Sequence, residues 1–166
     1  MLLNSRRFRD IELFGYSHLF DAATQTQFSA VTFRPSKNKL YVFFRGTDST
    51  LVGWKEDFNM CFVCPVPAQS NAVDYLNRIA ASNGGDITVG GHSKGGNLAV
   101  YASAFCEQAA RRRITHIYNY DGPGFTEDVL NSDSYKSICV LVNTFVPQSS
   151  VVGMLLGHEE KYTIIH

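Results

Sequence analysis

The sequence predicts one α/β domain, residues 1–166, built on a mixed, mostly parallel sheet with helices on both faces. Three observations carry this. Strand-length apolar runs alternate with longer segments of helical period. Residues 86–113 read as strand, glycine-rich turn and helix in succession. Finally, 166 residues with 45% hydrophobic and 13% aromatic content are enough for one substantial core and too few to suggest two. No repeat, low-complexity tract or linker interrupts the chain.

After an opening segment without a clear period, residues 27–33 and 40–44 read as a hairpin around Arg34-Pro35-Ser36-Lys37-Asn38. Residues 50–60 and 68–81 read as helices. The second is amphipathic through Ala72, Val73, Leu76, Ile79 and Ala80 and stops at Asn83-Gly84-Gly85. A short buried strand at 86–90 leads into the turn, and a helix over 95–110 carries Leu98, Ala99, Ala102, Phe105 and Ala109. Strands at 114–120, 138–145 and 161–165 follow, the first ending in the loop Asp121-Gly122-Pro123-Gly124.

Composition excludes several classes of function. Fifteen basic residues balance fifteen acidic ones, so no overall field recruits nucleic acid or an anionic membrane. Arg111-Arg112-Arg113 falls at a helix end, where cations complement the dipole. Four irregularly spaced cysteines suggest a reducing, cytoplasmic setting rather than a disulfide framework. Cys61-Phe62-Val63-Cys64 has no second pair at zinc spacing, and Pro65 and Pro67 deny it the helix start of a redox pair. No cofactor or metal is expected. No stretch reaches membrane-spanning length, and residues 1–10 lack the apolar core of a leader.

Gly91-His92-Ser93-Lys94-Gly95 places a serine on a tight corner between strand and helix, the arrangement that exposes a nucleophile above a sheet. A phosphate loop would close on Gly-Lys-Ser/Thr, whereas Gly95 is followed by Gly96-Asn97. Function in open α/β sheets gathers beyond the carboxyl ends of strands, which directs attention to Arg45-Gly46-Thr47-Asp48, Ser93 and Asp121. Asp121 suits two roles equally: a carboxylate that orients a histidine, or an Asx turn bonded to the amides of Gly122 to Gly124.

Phe44-Arg45-Gly46-Thr47, Trp54-x-x-Asp57 and Gly91-His92-Ser93-x-Gly95-Gly96 resemble the marks of fungal-type (class 3) lipases. Longer strings, among them Gly53 to Met60, Gly91 to Ala99, Asp121 to Phe125 and Val146 to Leu156, resemble a bacterial lipase-like family of α/β-hydrolases of uncharacterised function. The resemblance spans nearly the whole chain. It implies an α/β-hydrolase-like fold and a lipase- or esterase-like serine hydrolase that cleaves a carboxylic ester through an acyl-enzyme on Ser93. It further implies oxyanion donors in the main chain at Thr47 and Lys94, and an Arg45–Asp57 ion pair supporting that loop. The segment after Thr47 would be a lid. Trp54, Phe58 and Phe62 recur four apart there, a stripe that suits either lipid or, as is usual for such stripes, the core.

Two departures matter. The position of the lipase acid, three residues before Pro147, is Thr144, so Asp121 is the substitute. Lys94 replaces an apolar residue, which points toward an anionic group in a substrate or partner. For the base, chain order leaves His158 and His166, and the resemblance implies a Gln-His-Asp segment beyond residue 166 together with a longer N-terminal part. The sequence is therefore read as a fragment of a longer family member, its sheet cut short at both ends and open to self-association through exposed edges. The other reading is a binding module that keeps the hydrolase scaffold without its chemistry.

Overall fold

The computed structural model describes residues 4–47, 51–60 and 62–166. Seven strands form one sheet in sequential order: β1 (Glu12–Asp21), β2 (Thr26–Ser36), β3 (Lys39–Phe44), β4 (Asp86–His92), β5 (Ile114–Tyr120), β6 (Val142–Pro147) and β7 (Tyr162–Ile165). β1 to β3 are antiparallel neighbours, and β3 to β7 run parallel. The sheet is thus mixed and mostly parallel. β1 occupies the opening segment whose sequence has no clear period: both of its faces are largely exposed, so the two-residue alternation that signals a strand is missing.

Helices α1 (Leu51–Asn59) and α2 (Pro67–Ser82) lie between β3 and β4, and α3 (Lys94–Phe105) between β4 and β5. Where the sequence suggests one helix to 110, Cys106 adopts an extended conformation and a short helix, α4 (Gln108–Arg111), follows. Two further short helices, α5 (Glu127–Leu130) and α6 (Asp133–Ile138), precede a 3-10 turn at Cys139–Leu141. The strand expected from 138 therefore begins only at Val142. An apolar run of that length fits strand and helix equally, and here Ile138 ends α6 while Cys139–Leu141 form the 3-10 turn.

One core holds the fold. Phe28, Leu40, Val42, Phe44, Ile87, Val89 and Ile117 on the sheet meet Ala72, Leu76 and Ile79 of α2 and Leu98 and Ala102 of α3. Residues Lys94 to Ala104 of α3 are all buried, because α2, α6 and the sheet surround this helix. Tyr135 and Ile138 of α6 belong to the same cluster. On the opposite face, Tyr41, Phe43, Tyr118 and Phe145 are half-buried and His116 and Tyr120 exposed, so the second helical layer expected from sequence is not found among the described residues. Nor is any described helix long and apolar enough to cross a membrane.

Candidate active site

Parallel register brings the ends of β3, β4 and β5 together, since Phe44 pairs with Gly91 and His92 with Tyr120. Ser93 follows immediately, at φ 55° and ψ −130°, a conformation that L residues adopt only under constraint. The constraint is visible on both sides. Its amide donates to Tyr120 O at 2.9 Å, and its carbonyl accepts from Gly96 N at 2.8 Å. A Cβ on Gly91 would collide with the Gly95 carbonyl, and one on Gly95 with the Phe44 carbonyl, so the glycine spacing permits strand and helix to cross this closely.

Ser93 is half-buried at a cavity of about 480 Å³, lined also by Gly46, Thr47 and Lys94 and walled by Phe58, Met60, Pro123 and Leu155. No acceptor among the described residues takes the Lys94 or Thr47 amide. The Thr47 hydroxyl donates to Asp57 Oδ2 at 2.5 Å. Burial pushes the Asp57 carboxyl up from its ordinary value, while the Thr47 hydroxyl and the Lys94 ammonium oppose that rise.

Two sequence expectations change here. Arg45 is exposed and makes no salt bridge among the described residues; Asp57 lies instead 3.7 Å from Lys94 Nζ. The ammonium of Lys94 is 1% exposed and donates to Gln27 O at 2.8 Å, Gln27 Oε1 at 2.8 Å and Glu56 Oε2 at 3.0 Å. A cation whose three protons are all taken beneath the turn neither meets an anionic substrate nor serves as a base. Glu56 in turn accepts from the amides of Gln27 at 2.9 Å and Ala68 at 3.0 Å. Gln27 and Glu56 were not singled out by sequence. The signal was there, because a lysine inside an otherwise apolar buried helix requires a carboxylate, and α1 supplies the adjacent pair Glu56-Asp57.

The loop after β5 is held from α3. Asn97 Nδ2 donates to the carbonyls of Pro123 at 3.1 Å and Gly124 at 2.9 Å, and Asn97 Oδ1 accepts from Gln69 Nε2 at 2.9 Å. Asp121, at φ 57°, is not an Asx turn: the Gly122 amide goes to Asn119 Oδ1 and the Gly124 amide to Leu155 O. Its carboxylate accepts the Ser150 hydroxyl, a partner not anticipated from sequence.

None of the five histidines of the chain hydrogen-bonds Ser93 or Asp121 among the described residues. His158 is not among the residues that line this cavity, and its Nδ1 lies 3.0 Å from Glu160 Oε1. Glu160 also accepts the hydroxyls of Thr144 at 2.7 Å and Tyr135 at 2.5 Å. Burial would raise its pKa, but these partners, His158 foremost, outweigh it and hold the carboxyl at about 2. Thr144, at the expected acid position, is thus a buried donor to a carboxylate from another segment.

Two members of the aromatic stripe, Phe58 and Phe62, do not enter the core. Phe58 is 67% and Phe62 72% exposed, their rings 5.2 Å apart beside the cavity mouth; Asp48, Cys61 and the Trp54 side chain lie outside the described residues. Val151, Met154 and Leu155 add exposed apolar surface on the other side of the mouth.

A sheet of this order, with a serine on a strained corner after its central parallel strand, defines a lipase-like α/β-hydrolase fold. Solved structures agree. A fungal lipase–inhibitor complex, from work on interfacial activation, matches at TM-score 0.61 and 16% identity over 86% of this chain and 60% of its own. M37 lipase matches at 0.64 and 13% over 88% and 58%, and a triacylglycerol lipase from Penicillium expansum at 0.58 and 12% over 93% and 70%. The chain therefore spans about 60% of the length of the first two. The Mbeg1-like family profile matches residues 2–166, and the chain belongs to that family. A search of curated protein sequences finds no match.

Proposed function

We propose that this protein is a serine hydrolase, lipase- or esterase-like, that cleaves carboxylic esters with an apolar acyl group. One observation carries the reading: Ser93, held at positive φ, borders a largely apolar cavity whose lining includes Thr47 and Lys94, two residues whose amides have no acceptor among the described residues. In the reaction Ser93 Oγ attacks the acyl carbon and its proton passes to an imidazole. The oxyanion accepts from the two amides, at the positive end of α3, and water then releases the acyl group. Asp121 is the carboxylate proposed to orient the imidazole. Exposed Phe58, Phe62 and Met154 suit a lipid surface at the cavity mouth, and free Cys64, Cys106 and Cys139 suit a cytoplasmic setting.

The test is covalent. A fluorophosphonate probe is expected to label the chain and to spare Ser93→Ala. Short p-nitrophenyl esters should be turned over by the first and, within detection, not by the second. A second reading has its own support, because no histidine bonds Ser93 among the described residues: a binding module on a hydrolase scaffold would occupy the same cavity without turnover. It predicts that a long-chain fatty acid binds Ser93→Ala and the unaltered chain equally while neither is labelled.

A further inference from the structure

We propose that the side chain of Lys94 is a positioning residue, whose buried ammonium sets the Thr47 and Lys94 amides relative to each other by drawing α1 onto the serine turn. This rests on the proposed hydrolase reading, in which those two amides receive the oxyanion. It assigns the side chain a task separate from that of its own main chain.

The geometry argues for it in three steps. First, the ammonium is not a stray charge, because its three protons meet Gln27 O, Gln27 Oε1 and Glu56 Oε2 at 2.8, 2.8 and 3.0 Å. Secondly, these acceptors come from different elements. Gln27 lies on β2 and Glu56 on α1, and Glu56 also takes the Ala68 amide at the start of α2, so one cation gathers three segments under Ser93. Thirdly, the same cation reaches the other half of the oxyanion site. Asp57 Oδ1 is 3.7 Å from Nζ, and Asp57 Oδ2 takes the Thr47 hydroxyl. Lys94, Asp57 and Thr47 thus form a chain of charge and hydrogen bond that begins and ends on the two proposed donors.

Stability alone is a poor reason for this arrangement. Apolar residues of like volume usually hold a buried site as well as an ion pair does, and Lys94 is the one charged residue on α3, which is buried from Lys94 to Ala104. What the pair adds is a fixed angle and distance between segments, and oxyanion donors must be held to within about 0.5 Å to act.

The experiment removes both charges together. Lys94→Met/Glu56→Gln removes the buried Lys94–Glu56 pair, keeps an amide oxygen for the Gln27 or Ala68 amide, and leaves Asp57, whose side chain is 30% exposed, as the carboxylate that loses its cation. We expect a cooperatively folding protein whose Ser93 labelling rate and kcat on p-nitrophenyl butyrate fall at least about tenfold, with KM within about twofold. Amide hydrogen exchange at Thr47 should quicken in parallel. Asp57→Ala, at a side chain 30% exposed, leaves the Lys94–Gln27–Glu56 bonds in place and removes both the acceptor of the Thr47 hydroxyl and the charge facing Lys94. It should lower labelling at least about threefold. Wild-type labelling, kcat and Thr47 exchange in both variants, whatever their melting temperatures, would overturn the proposal and leave the ion pair a structural filler. If the unaltered chain is never labelled, the hydrolase reading fails alone. The exchange measurement then still decides the tether: faster Thr47 exchange in the variants supports it and unchanged exchange refutes it.

Discussion

At Ser93 the chain holds a side chain where glycine would rest more easily. A residue at φ 55° and ψ −130° stores roughly 1–3 kcal/mol of strain. Ser93→Gly should therefore stabilise the fold by about 1 kcal/mol in urea unfolding while abolishing labelling, the opposition expected where function and stability compete. Glu160 illustrates the reverse case, a polar group that strengthens the fold. Its carboxyl is held at about 2 against an ordinary 4.5, so its contribution is fully present above pH 4.5 and is lost as pH falls toward 2. Unfolding free energy should decline by on the order of 3 kcal/mol across that window. Glu160→Gln should flatten the decline and be less stable at neutral pH, as urea titrations at several pH values will show.

Among the elements, α1 is the most telling. Its Glu56 and Asp57 point into the polar cage while Phe58 points into solvent, so one short helix both braces the serine turn and presents an apolar ridge. Phe58→Ser/Phe62→Ser should change stability by no more than about 0.5 kcal/mol, because both rings are exposed. The same variant should lose most of its binding to phosphatidylcholine vesicles in a flotation assay. Helical spacing alone did not reveal this, since an aromatic stripe has the same period whether it faces core or solvent, and burial of charged Glu56 on the inner side decides the rotation. The Arg45–Asp57 expectation failed for a related reason: both residues stand where the lipase pattern has them, but Lys94, arriving from a helix 37 residues after Asp57 in sequence, occupies the carboxylate first.

For the molecule as a whole, the parallel unit from β3 to β5 was legible because its signals are local: glycine spacing, apolar strands and a strongly apolar helix. Ser93 and Asp121 stand out in this way as residues at strand ends, whereas Thr47 and Lys94 are named as donors only through the family resemblance. The partners of those residues were not legible, because Gln27, Glu56, Ser150 and Glu160 reach their places through tertiary contacts that leave no periodic trace. The second face of the sheet follows the same logic, as its residues alternate correctly whether or not anything covers them. β7 borders the sheet formed by the described residues, with Ile164 and Ile165 about half exposed. On that open face, the rings of His116, Tyr118, Tyr120 and Phe145 lie almost flat on one another, at centroid spacings of 6.0, 6.0 and 5.5 Å. Three of these rings, Tyr118, Tyr120 and Phe145, absorb in the near ultraviolet and lie close enough to couple, so the folded chain should carry a near-ultraviolet circular dichroism band that reports the integrity of β5 and β6 without any added dye.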